Sequence, residues 1–231
     1  MAKILAQAGA EVAICSRTPA GVEAAAKELS AETGARVEGF VADVGRRADT
    51  ERLAREAVAR MGKIDILFSN AGWNVPQAAD AIRDEDWDAL VELNVTSSMV
   101  LTRALAPGMM GRGWGRIIYT SSIMAFVSTP ERPAYSATKA ALHGLVKANC
   151  LHLGARGITV NCLCPGPFAT EMPMSILSAD QQKRFADRTA VGRWGQPHEL
   201  APAALLLASD AGAYITGSVL VVDGGVTIRM F

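Results

Sequence analysis

Short apolar runs rich in valine and isoleucine alternate along this chain with longer amphipathic stretches. Six runs read as strands: Glu11 to Cys15, Arg36 to Val41, Ile64 to Phe68, Arg116 to Thr120, Gly157 to Leu163 and Ser218 to Val222. Each is short, apolar and bounded by turn residues, which suits buried parallel strands. Between them, helical spacing of apolar residues predicts helices over about 19–32, 47–61, 84–110, 133–155 and 199–208, and a polar helix with methionines over 171–190. Residues 1–9 read as the tail of a helix, with Ile4, Leu5 and Ala8 on one side and Gly9 as its stop. Strands alternating with helices, without a linker, predict an α/β fold: one doubly wound parallel sheet, Rossmann-like, in a single domain over 1–231.

Such sheets bind ligands beyond the carboxyl ends of their strands. The residues there are Ser16-Arg17, Asp43, Asn70-Ala71-Gly72, Ser121-Ser122 and Cys164-Pro165-Gly166, which are small, polar or turn-forming. A second glycine-rich stretch, Gly111-Arg-Gly-Trp-Gly115, leaves a helix and enters a strand. That order is the reverse of a phosphate-binding loop, so it reads as a helix-to-strand turn.

Composition narrows the partners. In 231 residues, 23 Lys and Arg balance 23 Asp and Glu, so no basic field points to nucleic acid and a small neutral partner fits best. No apolar run is long enough to cross a bilayer and no signal peptide opens the chain, which predicts a cytoplasmic protein. Four cysteines do not make a disulfide framework; Cys162 and Cys164, alternating in a strand, read as buried thiols. His143, His152 and His198 lack metal-binding spacing and read as surface or packing residues, so no metal is expected.

Candidate chemistry begins with Tyr135 and Lys139. Four residues apart at the start of an apolar helix, they share one face, so an ammonium can lie near a phenol. A cation there favours the phenolate, and each unit of depression below a pKa of about 10 corresponds to about 1.4 kcal/mol. A depression of roughly two or three units makes Tyr135 a usable acid or base near neutral pH. Alone, the pair is a weak pattern.

In order along the chain, Asp43, Asn70-Ala71-Gly72, Asn94, Ser122, Tyr135-x-x-x-Lys139, Pro165-Gly166 with Thr170, and Asp223-Gly224-Gly225 resemble the short-chain dehydrogenase/reductase family over essentially the full length. The resemblance implies NAD(P)-dependent hydride transfer between a nicotinamide and a ketone or secondary alcohol. Tyr135 would be the proton donor or acceptor, Ser122 would hold the reacting oxygen, Lys139 would lower the Tyr135 pKa and hold the nicotinamide ribose, and Asn94 would support a water leading to Lys139. Ser121 is the competing hydroxyl, and spacing alone favours Ser122, thirteen positions before Tyr135. For the cofactor, Asp43 and Val44 would lie against the adenine, Asn70, Ala71 and Gly72 along the adenosine side, and Pro165, Gly166 and Thr170 around the nicotinamide amide. NAD-specific relatives carry an acidic residue where this chain has Ser16 and Arg17; a guanidinium suits a 2′-phosphate, so NADP is expected, with NAD possible. Family members commonly assemble as tetramers through the helices at about 84–110 and 133–155.

Within the family, Gly192-Arg-Trp-Gly-Gln-Pro197 and Asp223-Gly224-Gly225 look like the branch of 3-oxoacyl-[acyl-carrier-protein] reductases and gluconate 5-dehydrogenase-like sugar oxidoreductases. Glu171 to Trp194 would form a substrate lid, with Met172, Met174, Ile176, Leu177 and Phe185 as an apolar wall favouring 3-oxoacyl or other hydrophobic ketones over sugars. The departures concern the cofactor cradle. The family begins with a strand and a Thr-Gly-x-x-x-Gly-x-Gly turn, and Met1 falls inside the helix that would follow. The expectation is a sheet lacking its central strand between the strands at 11–15 and 64–68, and a chain that, expressed alone, is unstable and binds dinucleotide poorly. A start codon placed too late would explain it. The rival reading is a non-catalytic paralogue that acts only as an assembly partner. Smaller departures are Ser69, where the family often has a second Asn, and Ala125, where Gly commonly follows the serine.

Overall fold

A computed structural model of the chain describes residues 1–170, 174–175 and 177–228. Its order is α1 (Ala2–Gln7), β1 (Val12–Ser16), α2 (Pro19–Thr33), β2 (Val37–Val41), α3 (Arg47–Met61), β3 (Ile66–Ser69), α4 (Asp84–Val91), α5 (Ser97–Arg112), β4 (Gly115–Thr120), α6 (Pro133–Leu153), β5 (Ile158–Pro165), α7 (Ala179–Arg188), α8 (Ala201–Ala208) and β6 (Val219–Val222). Local chemistry sets several boundaries. Proline begins α2 and α6, where its missing N–H costs nothing, and Gly34 ends α2 at φ 70°.

All strand pairings are parallel. The strands fall into two pieces, β1 with β2 and the four-stranded order β3-β4-β5-β6. The division lies between the strands expected to face a gap: β1 and β3 do not pair. Burial records the same division. β4 and β5 are buried almost throughout, whereas β1 alternates between half-buried and exposed positions.

The largest core packs α5 and α6 on the four-stranded piece through Leu105, Met109, Leu142 and Val146 against Ile117, Tyr119, Val160 and Cys162. On the other face, Leu5 of α1 and Leu207 of α8 meet Ile118 and Leu163. A third cluster, Phe40, Val44, Leu53 and Ala57, closes β2 against α3. Helices on both faces of a parallel sheet make the expected Rossmann-like α/β fold.

Three details differ from the sequence reading. The long helix over 84–110 is interrupted by a π-helical stretch, Glu92–Thr96, with Asn94 inside it. β5 continues to Pro165, because its last residues still pair with β6. β3 begins at Ile66, since Ile64 packs from the side against the cores rather than in the ladder. Met172 and Ile176 of the expected lid lie outside the described residues.

Candidate functional site

The carboxyl end of β4 delivers Thr120, Ser121 and Ser122 in succession, and alternation sends their side chains different ways. Ser121 is buried and Ser122 half-buried. The Ser122 hydroxyl caps the following short turn, accepting from Met124 N at 3.2 Å. The Ser122 side chain also lies beside the Tyr135 phenol, whose pKa it lowers. Ser121 turns away, donating from Oγ to the Lys139 carbonyl at 3.0 Å and meeting His143 Nε2 at 3.0 Å. The geometry therefore places Ser122, and not Ser121, beside Tyr135.

Helix α6 carries Tyr135 and Lys139 on adjacent turns. Lys139 is 3 % exposed, and its Nζ donates to the Thr120 carbonyl at 2.8 Å. Nζ stands 5.7 Å from the centroid of the Tyr135 ring. Burial pushes the ammonium down to about 8. Burial also raises the Tyr135 pKa, against a lowering by the neighbouring Ser122 hydroxyl and by Arg132. This corrects the expectation that Lys139 depresses the phenol: in this structure the ammonium is spent on a carbonyl, and loss of water outweighs the remaining contacts.

Asn94 sits where the π-helical stretch widens the helix, a common position for functional residues. It is 2 % exposed. Its Oδ1 accepts from Trp73 N at 2.9 Å, and its Nδ2 donates to Trp73 O and to Thr138 Oγ1, each at 3.0 Å. Thr138 in turn donates to the Tyr135 carbonyl at 2.8 Å. Thus Asn94 fastens the turn after β3 to the helix bearing Tyr135. Trp73, Thr138 and Thr120 were missed in the sequence, because a backbone acceptor and a helical threonine carry no motif of their own.

The candidate cofactor residues line the strand ends. Asn70, Ala71 and Gly72 are exposed after β3, and Asn70 Oδ1 accepts from Thr120 Oγ1 at 3.0 Å. Arg17 is exposed beyond β1 and, among the described residues, has no carboxylate partner. Asp43 Oδ1 accepts from Gly45 N, which shapes the turn after β2. Val44 is buried in the cluster with Phe40 and Leu53, so only its backbone can face a ligand. Pro165 and Gly166 leave β5 beside Asp223, where a Cβ on Gly166 would come within 2.6 Å of the Asp223 backbone. Thr170 is exposed at the end of that segment.

The C-terminal turn anchors the far side. Gly224 O accepts from Ala190 N at 2.7 Å, and a Cβ on Gly225 would meet Ala190 at 2.8 Å. Trp194 packs on Phe185 at 5.3 Å and donates from Nε1 to Gln182 O. Phe185 of the expected apolar wall is therefore engaged in packing α7. Cys162 and Cys164 are fully buried free thiols, each pushed up to about 12 by burial. Among the described residues there is no cluster that could hold a metal and no helix long and apolar enough to cross a membrane.

Known proteins resemble this chain over nearly its whole length. Residues 1–227 match a family described as enoyl-(acyl carrier protein) reductase. Gluconate 5-dehydrogenase of Gluconobacter oxydans is 37 % identical over 236 residues, covering 100 % of this chain and 90 % of that protein. The 3-oxoacyl-[acyl-carrier-protein] reductase of Chlamydia trachomatis is 34 % identical over 225 residues, covering 97 % and 90 %. Among solved structures, a gluconate 5-dehydrogenase from Burkholderia cenocepacia in complex with NADP and tartrate superposes with a TM-score of 0.93 at 36 % identity, covering 99 % of this chain and 90 % of that one.

Proposed function

The chain belongs to the short-chain dehydrogenase/reductase family of NAD(P)-dependent oxidoreductases, and from that premise we propose that it reduces a ketone to a secondary alcohol with NADPH, using Ser122, Tyr135, Lys139 and Asn94. The observation that carries this reading is the Ser122 side chain set beside the Tyr135 phenol at the open end of β4, with the Lys139 ammonium 5.7 Å from the centroid of the same ring.

NADPH, when bound, supplies the hydride. The carbonyl oxygen rests between the Ser122 and Tyr135 hydroxyls, and Tyr135 gives it a proton as the alcohol forms. A phenol whose pKa is raised by burial remains protonated at neutral pH, which suits reduction. Lys139 would hold the nicotinamide ribose, and Asn94 would support a water through which the proton on Tyr135 is replaced. Asp43, Val44, Asn70, Ala71, Gly72, Pro165, Gly166 and Thr170 would hold the cofactor along the strand ends. The exposed Arg17 guanidinium fits a 2′-phosphate in charge and geometry. A 3-oxoacyl or related hydrophobic ketone is the favoured substrate; a sugar acid is the second reading, supported by likeness to proteins named gluconate 5-dehydrogenase. A single domain, a homotetramer and a cytoplasmic location complete the proposal.

The test is a panel of 3-oxoacyl thioesters, keto-sugar acids and simple ketones with NADPH and NADH. Turnover with NADPH is expected, with Tyr135→Phe lowering kcat at least about a hundredfold. Arg17→Ala should narrow the NADPH over NADH preference in kcat/KM about tenfold. No turnover of any ketone by protein that binds NADPH would leave the assembly-partner reading standing instead.

A further inference from the structure

Three consecutive residues at the end of β4 are tied to three successive turns of α6. Ser122 lies beside Tyr135, Thr120 O accepts from Lys139, and Ser121 bonds His143. Tyr135, Lys139 and His143 lie four residues apart, so one helix face meets one strand end in a single register. The first two belong to the proposed reaction. The third does not appear in it.

His143 grips this strand end twice. Its Nε2 lies 3.0 Å from Ser121 Oγ, and its ring packs on Phe126 at 4.9 Å, tilted by 44°. Ser121 and Phe126 flank Ser122 in the chain, so both contacts bear on the segment that aims the Ser122 hydroxyl. Hydrogen-bond arithmetic assigns the tautomer. Ser121 has one hydroxyl proton, and the Lys139 carbonyl, which can only accept, takes it. The Oγ must therefore accept at its contact with Nε2, and His143 carries its proton there. Burial and Lys147 lower the His143 pKa, so the ring is neutral at working pH and Nε2–H is its single donor.

We propose that His143 is a positioning residue of the reaction: by donating from Nε2 to Ser121 and packing on Phe126, it holds Ser122 in register with Tyr135. It touches neither the reacting oxygen nor the nicotinamide. This inference rests on the reading of Ser122 and Tyr135 as the acid pair, and its test includes readouts that need no turnover.

Two variants separate the donor from the ring. His143→Phe keeps the packing on Phe126 and removes the donor; His143→Gln restores an N–H near the position of Nε2. We expect His143→Phe to lower kcat about tenfold with KM for NADPH unchanged, and His143→Gln to recover to within about threefold of the wild type. Ultraviolet difference titration, with Tyr135→Phe as the blank, reads the Tyr135 pKa without substrate. It should rise in His143→Phe, as the nearby Ser122 hydroxyl that lowers it loses its placement, and not in His143→Gln. If His143→Phe does not fold, Ser121→Ala removes the same bond from the other side and should give the same rise. Nitrogen-15 spectra of the wild-type imidazole should show the Nε2–H tautomer. An Nδ1–H tautomer, an unchanged Tyr135 pKa in a folded variant, or equal losses of kcat in the Phe and Gln variants would overturn the proposal. A chain that reduces no ketone but shows the tautomer and the pKa shift would instead sink the proposed function alone.

Discussion

The backbone of Gly72 runs so close to the Lys139 ammonium that a Cβ there would stand 3.1 Å from Nζ. The same Cβ would lie 3.4 Å from Asn94 Oδ1. Gly72 is absent from the positions with positive φ, so an L side chain is allowed by the backbone and the constraint is one of space. Lys139 has little room to yield, being buried and held by the Thr120 carbonyl at 2.8 Å.

Gly72→Ala should therefore act through Lys139. Pushing Nζ aside weakens a charge-assisted hydrogen bond worth about 1.5–3 kcal/mol. A fall in kcat of about tenfold is expected for Gly72→Ala, and a larger one for Gly72→Val, whose branches meet Asn94 as well. Steady-state kinetics beside melting curves decide it. Wild-type kcat in Gly72→Val would show that the closeness has no consequence for the site.

A second prediction concerns stability against pH. The Lys139 pKa falls to about 8 in the folded chain from an ordinary 10.5. Below about 8 both states carry the ammonium, and the folded state bears the full cost of burying it. Between about 8 and 10.5 the unfolded chain binds more protons, so this contribution to stability rises with pH; above 10.5 the cost is gone. A shift of this size corresponds to about 3 kcal/mol, partly offset by the bond to Thr120. Lys139→Met should thus be inactive yet more stable at pH 7 by about 1–3 kcal/mol, with the gain shrinking towards pH 10. Chemical denaturation of both proteins across that range measures the difference. A gain independent of pH would mean that the ammonium is not the cause.

Much of this arrangement was legible in the sequence, because periodicity reports which residues share a face. Helix α3 runs over 47–61 as its amphipathic pattern predicts, and the strand ends carry the expected small and polar residues. What escaped depends on partners distant in the chain. Ser121 and Ser122 are indistinguishable as residue types; only the packing of α6 over β4 sends one to His143 and the other to Tyr135. The direction of the Tyr135 shift was misjudged for a related reason. Helical spacing places a lysine near the phenol, but whether burial or the cation prevails depends on where Nζ finds its acceptor, and Thr120 is remote in sequence. The π-helical turn at Asn94 was equally silent, since a widened turn has no compositional mark.

The divided sheet makes a residue-by-residue prediction. Val12 N donates to Arg36 O, and in a parallel ladder alternate residues face the same neighbour, so Val12, Ile14 and Ser16 direct their amides to β2. The amides of Ala13 and Cys15 then face the open edge. On the other piece, Arg116 N donates to Asp65 O, which sets Leu67 and Ser69 towards β4 and leaves Ile66 and Phe68 facing outward. Amides without a ladder partner exchange with solvent on small local openings, whereas paired ones in a buried strand wait for larger ones. Hydrogen exchange on the full chain should therefore alternate along β1 and β3, with Ala13, Cys15, Ile66 and Phe68 fast and Ile14, Leu67 and Ser69 slow. The amides of β4 and β5 should be slowest, since β4 has β3 and β5 as neighbours and β5 has β4 and β6. Protection of Ala13, Cys15, Ile66 and Phe68 equal to that of β4 would mean that something pairs with both edges in solution, and would refute the division of the sheet in the free chain.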